Sequence, residues 1–425
     1  MRILFLSAWL PLPADNGVKL RISHLLRGLG QQHDVDLLSF APDEPSKEVL
    51  QELHTFCRSV EIIPENPFTS TKLGRVRGFL SSKPSFVIAN YNERMATAVR
   101  SRSHIAYDLV FASEIHTVPY ALLLQGIPRI LDGLEMTGIY EYFTGQKQPL
   151  ARLRYTLTWW KMRAYIQSIL RSFDGLSIVS ENERAFLERF TSPQTRLVVI
   201  PNGVDTTACS GDFGAPENGV LIYPGALSYG ANFDAVAYFG SEILPRIRAK
   251  FPAARLRVTG RQDQARIAAL PTTDGIEFTG FLDDIRPSVA RAWAEVVPLR
   301  EGSGTRLKVL EAMALGTPVI STSKGIEGLD VTPGRDVLVA DTSEAFIDQT
   351  LRLLGSPSLR HDLAEQGHRT ALRYDWRHST DRLNDLVLTC VHPLKQESGS
   401  LSTAVRSQLF EPTARSGADV EEIVR

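Results

Sequence analysis

Short apolar runs recur along this chain, separated by longer stretches in which apolar and polar residues alternate with helical spacing. Residues 2–7 (RILFLS), 35–40 (VDLLSF), 60–63, 107–112 (YDLVFA), 129–131, 175–179 and 197–200 have the length and character of strands. The intervening segments 18–30, 48–56, 68–80, 94–102, 119–124, 152–173 and 180–190 read as helices, the last opened by Ser180 with Glu183 three residues on, the pattern of a capping box. Strands that are apolar throughout, rather than at every second position, belong to a parallel sheet covered by helices on both faces. The first strand, loop, helix and second strand thus open a doubly wound α/β domain.

The pattern then repeats. Strands at 220–223, 255–259, 276–279, 296–299, 319–322 and 336–339 alternate with helices at 233–248, 285–292, 305–315, 343–354, 359–374 and 377–390. The expected organisation is an N-terminal α/β domain at 1–205, a polar glycine-bearing linker at 206–218, a second α/β domain at 219–376, and a closing helix at 377–392. A tail at 393–425, rich in Ser, Thr and Glu, is expected to be disordered. Ligands of such sheets bind beyond the carboxyl ends of the strands. The loop carrying Asn16 and Gly17 should therefore line a cleft between the halves, and that cleft is the default binding site.

Composition narrows the function classes. Across 425 residues the net charge is −1, so nothing marks a nucleic-acid partner. Three cysteines, widely spaced, suggest neither a disulfide framework nor a zinc site and fit a reducing compartment. The apolar N-terminus reads as a first strand rather than a secretory signal, because no small-residue cleavage site follows. No apolar run approaches the roughly 20 residues of a membrane-spanning helix. The helix at 152–173 mixes aromatic residues with Arg152, Arg154, Lys161, Arg163 and Arg171. It reads either as a cover for its domain with a solvated basic face, or as a surface for anionic lipid. Neither sheet shows a dinucleotide or P-loop glycine pattern, and no zinc-protease or serine-hydrolase motif occurs.

The densest chemistry lies at 295–322. A strand leads into the loop Glu301-Gly302-Ser303-Gly304, and a helix follows that is stopped by Gly316 and Pro318. Free N–H groups and the positive dipole end at such a helix start suit an anion, and Arg306 and Lys308 add formal charge. Leu307, Leu310, Met313 and Ala314 are expected to face the sheet, leaving the Glu311 carboxylate to accept from a sugar or ribose diol. The bland alternative is a plain turn and a solvated helix.

Taken with the strings ILFLSAWLPLPADNGVKLR, SIVSENERAFL, VIPNGVD, LIYPGALSYGANFDAVAYF, FTGFLDDIRPSVARAWAEVVPLREGSGTRLKVLEAMALGTPVIST and YDWRHST, this stretch resembles the retaining family 4 glycosyltransferases of GT-B fold, most closely those of bacterial surface and exopolysaccharide clusters. The resemblance implies two Rossmann-like domains facing a cleft and a last helix that returns to the N-terminal domain. It implies transfer of a sugar from a nucleotide-diphosphate sugar to a glycan or polyprenyl-linked acceptor, at the cytoplasmic side and at the inner face of the membrane if contact with anionic lipid is made. It implies no metal and no cofactor, the nucleotide sugar being a co-substrate.

The family's second donor-binding glutamate matches Glu311. The first falls on Ser303, a departure that leaves Glu301 as a neighbouring substitute. No lysine follows the first strand of the second half, a further departure, so Arg261, Arg306 and Lys308 stand in for the family's diphosphate-holding cations. Backbone groups of Ser303, Gly304 and Thr305 would assist, while Gly225 and Phe281 fall near the nucleotide. Gly17 matches the glycine loop by the donor phosphates. His116 falls near the transferred sugar, and Asn16, Asp132 and Glu135 on the acceptor side. The rival readings are a nucleotide-sugar 2-epimerase of the same fold and a non-catalytic scaffold of polysaccharide assembly.

Overall fold

The computed structural model describes residues 1–69, 78, 81–145, 148–190, 196–262, 264–302, 304 and 306–392. The expected helix at 68–80 and the tail from 393 onward lie almost wholly outside them. Seven strands form the first sheet: β1 (Arg2–Ser7), β2 (Asp34–Ala41), β3 (Ser59–Pro64), β4 (Leu109–Ser113), β5 (Arg129–Asp132), β6 (Gly175–Ile178) and β7 (Arg196–Val199). Six form the second: β8 (Val220–Pro224), β9 (Arg255–Thr259), β10 (Ile276–Gly280), β11 (Ala294–Val297), β12 (Val319–Ser321) and β13 (Leu338–Val339). Their orders are β3-β2-β1-β4-β5-β6-β7 and β10-β9-β8-β11-β12-β13, and all strand pairings are parallel. Each order reverses once, between β1 and β4 and between β8 and β11. Those two points are where the loops beyond the strand ends part and leave a crevice.

The apolar runs are buried because helices cover both faces. Ile3 and Phe5 of β1 pack towards the helix Gly17–Gly30, whereas Leu4 and Leu6 pack towards the opposite layer. The final helix, Trp376–Val391, crosses back to the first sheet, where Leu383, Leu386, Val387 and Cys390 join the Ile3–Phe5 layer. At the crossing, the Val204 N–H donates to the Tyr374 carbonyl at 2.8 Å, and Thr206 bonds the Asp375 carboxylate. His24 stacks on Trp376 at 4.6 Å between ring centres. The two strands of chain that join the domains are thus fastened to each other.

Several expectations are corrected. The helix Leu307–Ala314 starts two residues later than expected, and Leu307 does not face the sheet: a Cβ placed on Gly17 would lie 3.2 Å from Leu307 Cδ1, across the cleft. The segment read as one helix at 233–248 starts at Gly230 and contains a wider turn at Phe239–Ile243 before Pro245, whose missing N–H and bulky ring disrupt the regular ladder. The capping box is half realised. Ser180 accepts from the Glu183 N–H at 3.2 Å, but the Glu183 carboxylate turns to the N–H groups of Met136 and Thr137 and the Thr137 hydroxyl. There it caps the helix Thr137–Thr144, an element the sequence reading did not identify.

Candidate active site

The second crevice is built by the loops after β8 and β11. Gly225 is required there: a Cβ on it would come within 2.8 Å of the Asn232 amide, and one on Gly260 would meet the backbone of Ala226 at 2.9 Å. These close approaches hold the loop after β9, with Arg261, against the loop after β8. Asn232 donates to the Ala226 carbonyl at 3.0 Å and accepts from the Tyr223 hydroxyl at 2.7 Å. Its carbonyl oxygen also lies 3.3 Å from Lys308 Nζ, and that ammonium sits 3.9 Å over the centre of the Tyr223 ring. Lys308 is half-buried, and desolvation pulls its pKa down to about 8. Glu311, one turn on, is half-buried too and is pushed up to about 7 by desolvation. The Lys308 charge opposes that shift in part.

Beneath Lys308 lies Glu295 of β11, a residue the sequence reading passed over inside an apolar run. It is fully buried and neither carboxyl oxygen has a hydrogen-bond partner, so desolvation drives its pKa well up and it stays protonated. Arg306 is buried at the head of the Leu307–Ala314 helix, with its guanidinium beside Gly302. Gly302 and Gly304 hold φ of 103° and 88°, values that favour glycine, and let the loop turn tightly under the helix start. Arg261 lies 5.4 Å from the Phe281 ring centre, and both are well exposed at the rim of the crevice. Glu301 is exposed. Ser303 and Thr305 lie outside the described residues.

Across the cleft, the first domain meets this site closely. Asn16 caps the helix Gly17–Gly30 by accepting from the Lys19 N–H at 3.0 Å. Arg261 reaches Asp15 at 3.5 Å, and Lys324 reaches Glu141 at 3.1 Å, so ion pairs span the gap. A Cβ on Gly304 would stand 3.5 Å from the Glu135 carboxylate. Glu135 is pushed up, first by desolvation, and Arg306 is among the cations that oppose the shift. His116 is packed against Phe68 and Phe86, its Nδ1 buried without a partner, and burial lowers its pKa, so it is neutral at pH 7.

Asp132 has a different place from the one expected on the acceptor side. It is buried and clasped by Arg21 through two hydrogen bonds, of 3.0 and 2.5 Å. Arg21 also donates to the Ile200 carbonyl, Asn202 and Ser177. This network ties β5, β6 and the end of β7 to the first long helix, and it removes the Asp132 carboxylate from the cleft. The reading also missed Glu114, which stands at the end of β4 with φ 72° and ψ 148°.

Comparison with known proteins matches each half separately. A model described as Glycosyltransferase Family 4 covers residues 15–208, and one described as Glycosyl transferases group 1 covers 218–356. A Klebsiella pneumoniae protein described as an uncharacterized 44.6 kDa protein in the cps region is 20% identical over 359 residues, spanning 81% of this chain and 89% of its own length. Sucrose-phosphate synthase from Thermosynechococcus elongatus superposes with a TM-score of 0.64 at 18% identity, over 91% of this chain and 98% of its own. Anabaena HepE in complex with UDP gives 0.62 at 16% identity, over 92% and 100%. These likenesses, with two parallel-sheet domains and a returning helix, are those of the GT-B fold. With one family model on each half of that architecture, the chain belongs to the family 4 glycosyltransferases.

Proposed function

We propose that the chain transfers a sugar from a nucleotide-diphosphate donor to a hydroxyl of a glycan or lipid-linked acceptor, with anomeric retention, in bacterial surface or exopolysaccharide synthesis. The observation that carries the reading is the convergence on Lys308. An ammonium held by Asn232 and the Tyr223 ring, near the Glu311 and Glu295 carboxyls but in no salt bridge with either, stands at a helix start in the crevice of the second sheet. A diphosphate supplies the missing counter-charge.

In this assignment Lys308, Arg306 and Arg261 bind the diphosphate, helped by backbone N–H groups at the helix start. Glu311 accepts from the ribose hydroxyls. Gly225 and Phe281 border the base, and HepE's complex with UDP supports a nucleoside diphosphate as the group held there. As the bond from anomeric carbon to phosphate oxygen breaks, negative charge gathers on the diphosphate, where fixed cations stabilise it without reorganisation. The acceptor hydroxyl attacks from the same face, and its proton passes to the departing phosphate oxygen. Because the cations come from the chain, the chemistry calls for no metal.

Among the described residues no helix is long and apolar enough to cross a membrane. The helix Pro149–Leu170 nevertheless exposes Leu150, Leu153, Leu157 and Trp160 beside Arg152, Arg154 and Arg163, which supports peripheral contact with anionic lipid at the cytoplasmic face.

Nucleoside diphosphate release in Lys308→Ala and Glu311→Ala tests the assignment. Each is expected to lower the rate by ~10²–10³-fold, the scale of losing a charge-stabilising group. Near wild-type rates in both variants would refute it.

A further inference from the structure

At the gap between the lobes stands the helix Thr137–Thr144, and none of its residues is fully buried. Cavities flank it on both sides. One, of about 340 Å³, is lined by Thr137, Gly138 and Glu141 on the helix and by Gly304, Glu327 and Gly328 of the second lobe. The other, of about 510 Å³, is lined by Gly138, Ile139, Tyr142 and Phe143. A helix with space on two sides has room to move as a unit, and few buried contacts oppose it. Aromatic pairs hold it to the first lobe. Tyr140 lies 4.9 Å from Trp159 and 5.3 Å from Phe186 between ring centres, and Phe143 lies 5.1 Å from Tyr155. The Glu183 carboxylate holds its start, through the N–H groups of Met136 and Thr137.

Across the gap, Lys324 is fixed more firmly. It opens the short turn Lys324–Ile326, after β12. Ser323, just before it, donates to Asp341 from its N–H and its hydroxyl, each at 2.7 Å. A Cβ on Gly325, just after it, would lie 2.8 Å from the Val297 carbonyl, so the turn is pressed against β11. From this base the ammonium reaches Glu327 of its own lobe at 2.7 Å and Glu141 of the helix at 3.1 Å. An ion pair with both partners partly exposed shifts an equilibrium by about fivefold at most, so it can break and re-form in each turnover. Glu135 directly precedes the residues that Glu183 caps, and it faces Gly304 of the donor loop. Movement of the helix therefore carries Glu135 towards that loop or away from it.

We propose that Glu141 and Lys324 are a positioning pair: their ion pair pins the helix Thr137–Thr144 to the second lobe and so holds Glu135 over the donor loop, and the helix swings clear when the pair opens. Glu327 keeps the ammonium in place while the pair is open. The effect on rate rests on the transferase reading above; the movement itself does not.

Hydrogen exchange in the full chain, followed in peptides that span the helix, tests the movement. Glu141→Gln is expected to speed exchange there about threefold. Lys324→Glu, which sets a third carboxylate beside Glu141 and Glu327, should speed it ~10-fold. Adding Glu141→Lys to Lys324→Glu restores opposite charges across the gap and should bring exchange back to within about twofold of wild type. Salt at ~1 M should speed exchange in the wild-type chain and not in Glu141→Gln, because only the first has an ion pair to screen. Nucleoside diphosphate release should follow the same order, about fivefold slower in Lys324→Glu and restored in the double variant, while calorimetry gives one UDP affinity for all. Unchanged exchange in both single variants, or a double variant no better than Lys324→Glu, overturns the proposal. Exchange that follows the pair while release does not removes its positioning role. A wild-type chain that fails to bind UDP is a separate result: it sinks the donor reading and leaves the exchange measurement standing.

Discussion

Beyond β1 and β4 the crevice is walled by Glu114, Glu135 and apolar side chains; beyond β8 and β11 the matching crevice is walled by Arg306, Lys308, Asn232 and Tyr223. The strand orders that create the two are alike, so topology sets where a ligand can bind and not what it is. The difference comes from how each half disposes of its opposite charge. In the first, the cation Arg21 is sunk below the crevice and hydrogen-bonded to Asp132 and three further acceptors, so it acts on Glu114 and Glu135 only through its charge, and desolvation leaves both carboxyls with raised pKa values. In the second, the carboxyl Glu295 is sunk below the crevice and held protonated, which leaves the Lys308 charge facing outward. One crevice is thus lined by carboxyls of raised pKa and the other by cations.

The contrast is most easily broken at Arg21. Arg21→Ala leaves Asp132 buried, charged and unpaired, together with unfilled acceptors on Ile200 and Asn202. Equilibrium denaturation is expected to show a loss of about 3–5 kcal/mol. Pairing Arg21→Met with Asp132→Asn should recover a good part of it, because the uncompensated charge is gone. A loss below about 1 kcal/mol in the single variant would mean that the pair does not organise the first lobe.

The second lobe is sharpened by pH. Lys308, lowered to about 8, loses its charge as pH rises through that value, so diphosphate affinity should fall there by up to ~10-fold per pH unit. Glu311, raised to about 7, is protonated below that value and accepts more weakly from a ribose diol, so affinity should also fall on the acid side. A bell with its crest between about 7 and 8 is the expected result of titrating UDP binding by calorimetry. Lys308→Arg should flatten the alkaline arm and Glu311→Gln the acid arm. Stability follows the opposite logic for each group. Glu311 holds its proton more tightly folded than unfolded, so its contribution is full below the unfolded value of 4.5 and is lost as pH rises through about 7. Lys308 releases its proton earlier when folded, so the unliganded chain gains stability from about 8 towards the unfolded value of 10.5.

Much of this architecture was legible in the sequence because its signals are local. Strands buried on both faces announce themselves as unbroken apolar runs, and the glycines and cations of residues 301–308 mark a loop and helix start within a few positions. What escaped detection depends on distant parts of the chain. The helix Thr137–Thr144 is capped by Glu183, 46 residues beyond Thr137, so its own sequence lacks a start signal. Leu307 looks like a core residue by periodicity, yet its Cδ1 lies against Gly17, 290 positions earlier in the chain, a proximity that periodicity does not reveal. Asp132 and Glu135 looked equivalent on the acceptor side; Arg21, 111 residues from Asp132, separates their fates. Glu114 gave no sign, because glutamate at positive φ is a cost imposed by the loops after β4 and β5, and composition carries no trace of it.

The outer surfaces of the lobes differ as well, and this yields the smallest expected effect. The helix Pro149–Leu170 buries Met162, Tyr165, Ile166, Ile169 and Leu170 on one side, while Leu150, Leu153, Leu157 and Trp160 recur every three or four residues on another. Packing within the chain explains the first set only. The second, with Arg152, Arg154 and Arg163 exposed beside it, matches a lipid surface carrying negative charge, where each cation contributes about 1 kcal/mol and each apolar side chain that leaves water adds to it. Sedimentation with vesicles rich in phosphatidylglycerol should carry down the wild-type chain and leave Leu157→Glu/Trp160→Glu in the supernatant, a change of ~10-fold in partitioning. UDP affinity should be equal in the two, since the stripe belongs to the first lobe and the proposed nucleotide site to the second. If the unmodified chain stays in solution with these vesicles, or if the double variant sediments equally well, the stripe is no membrane surface, and the lobes differ only in the crevices between them.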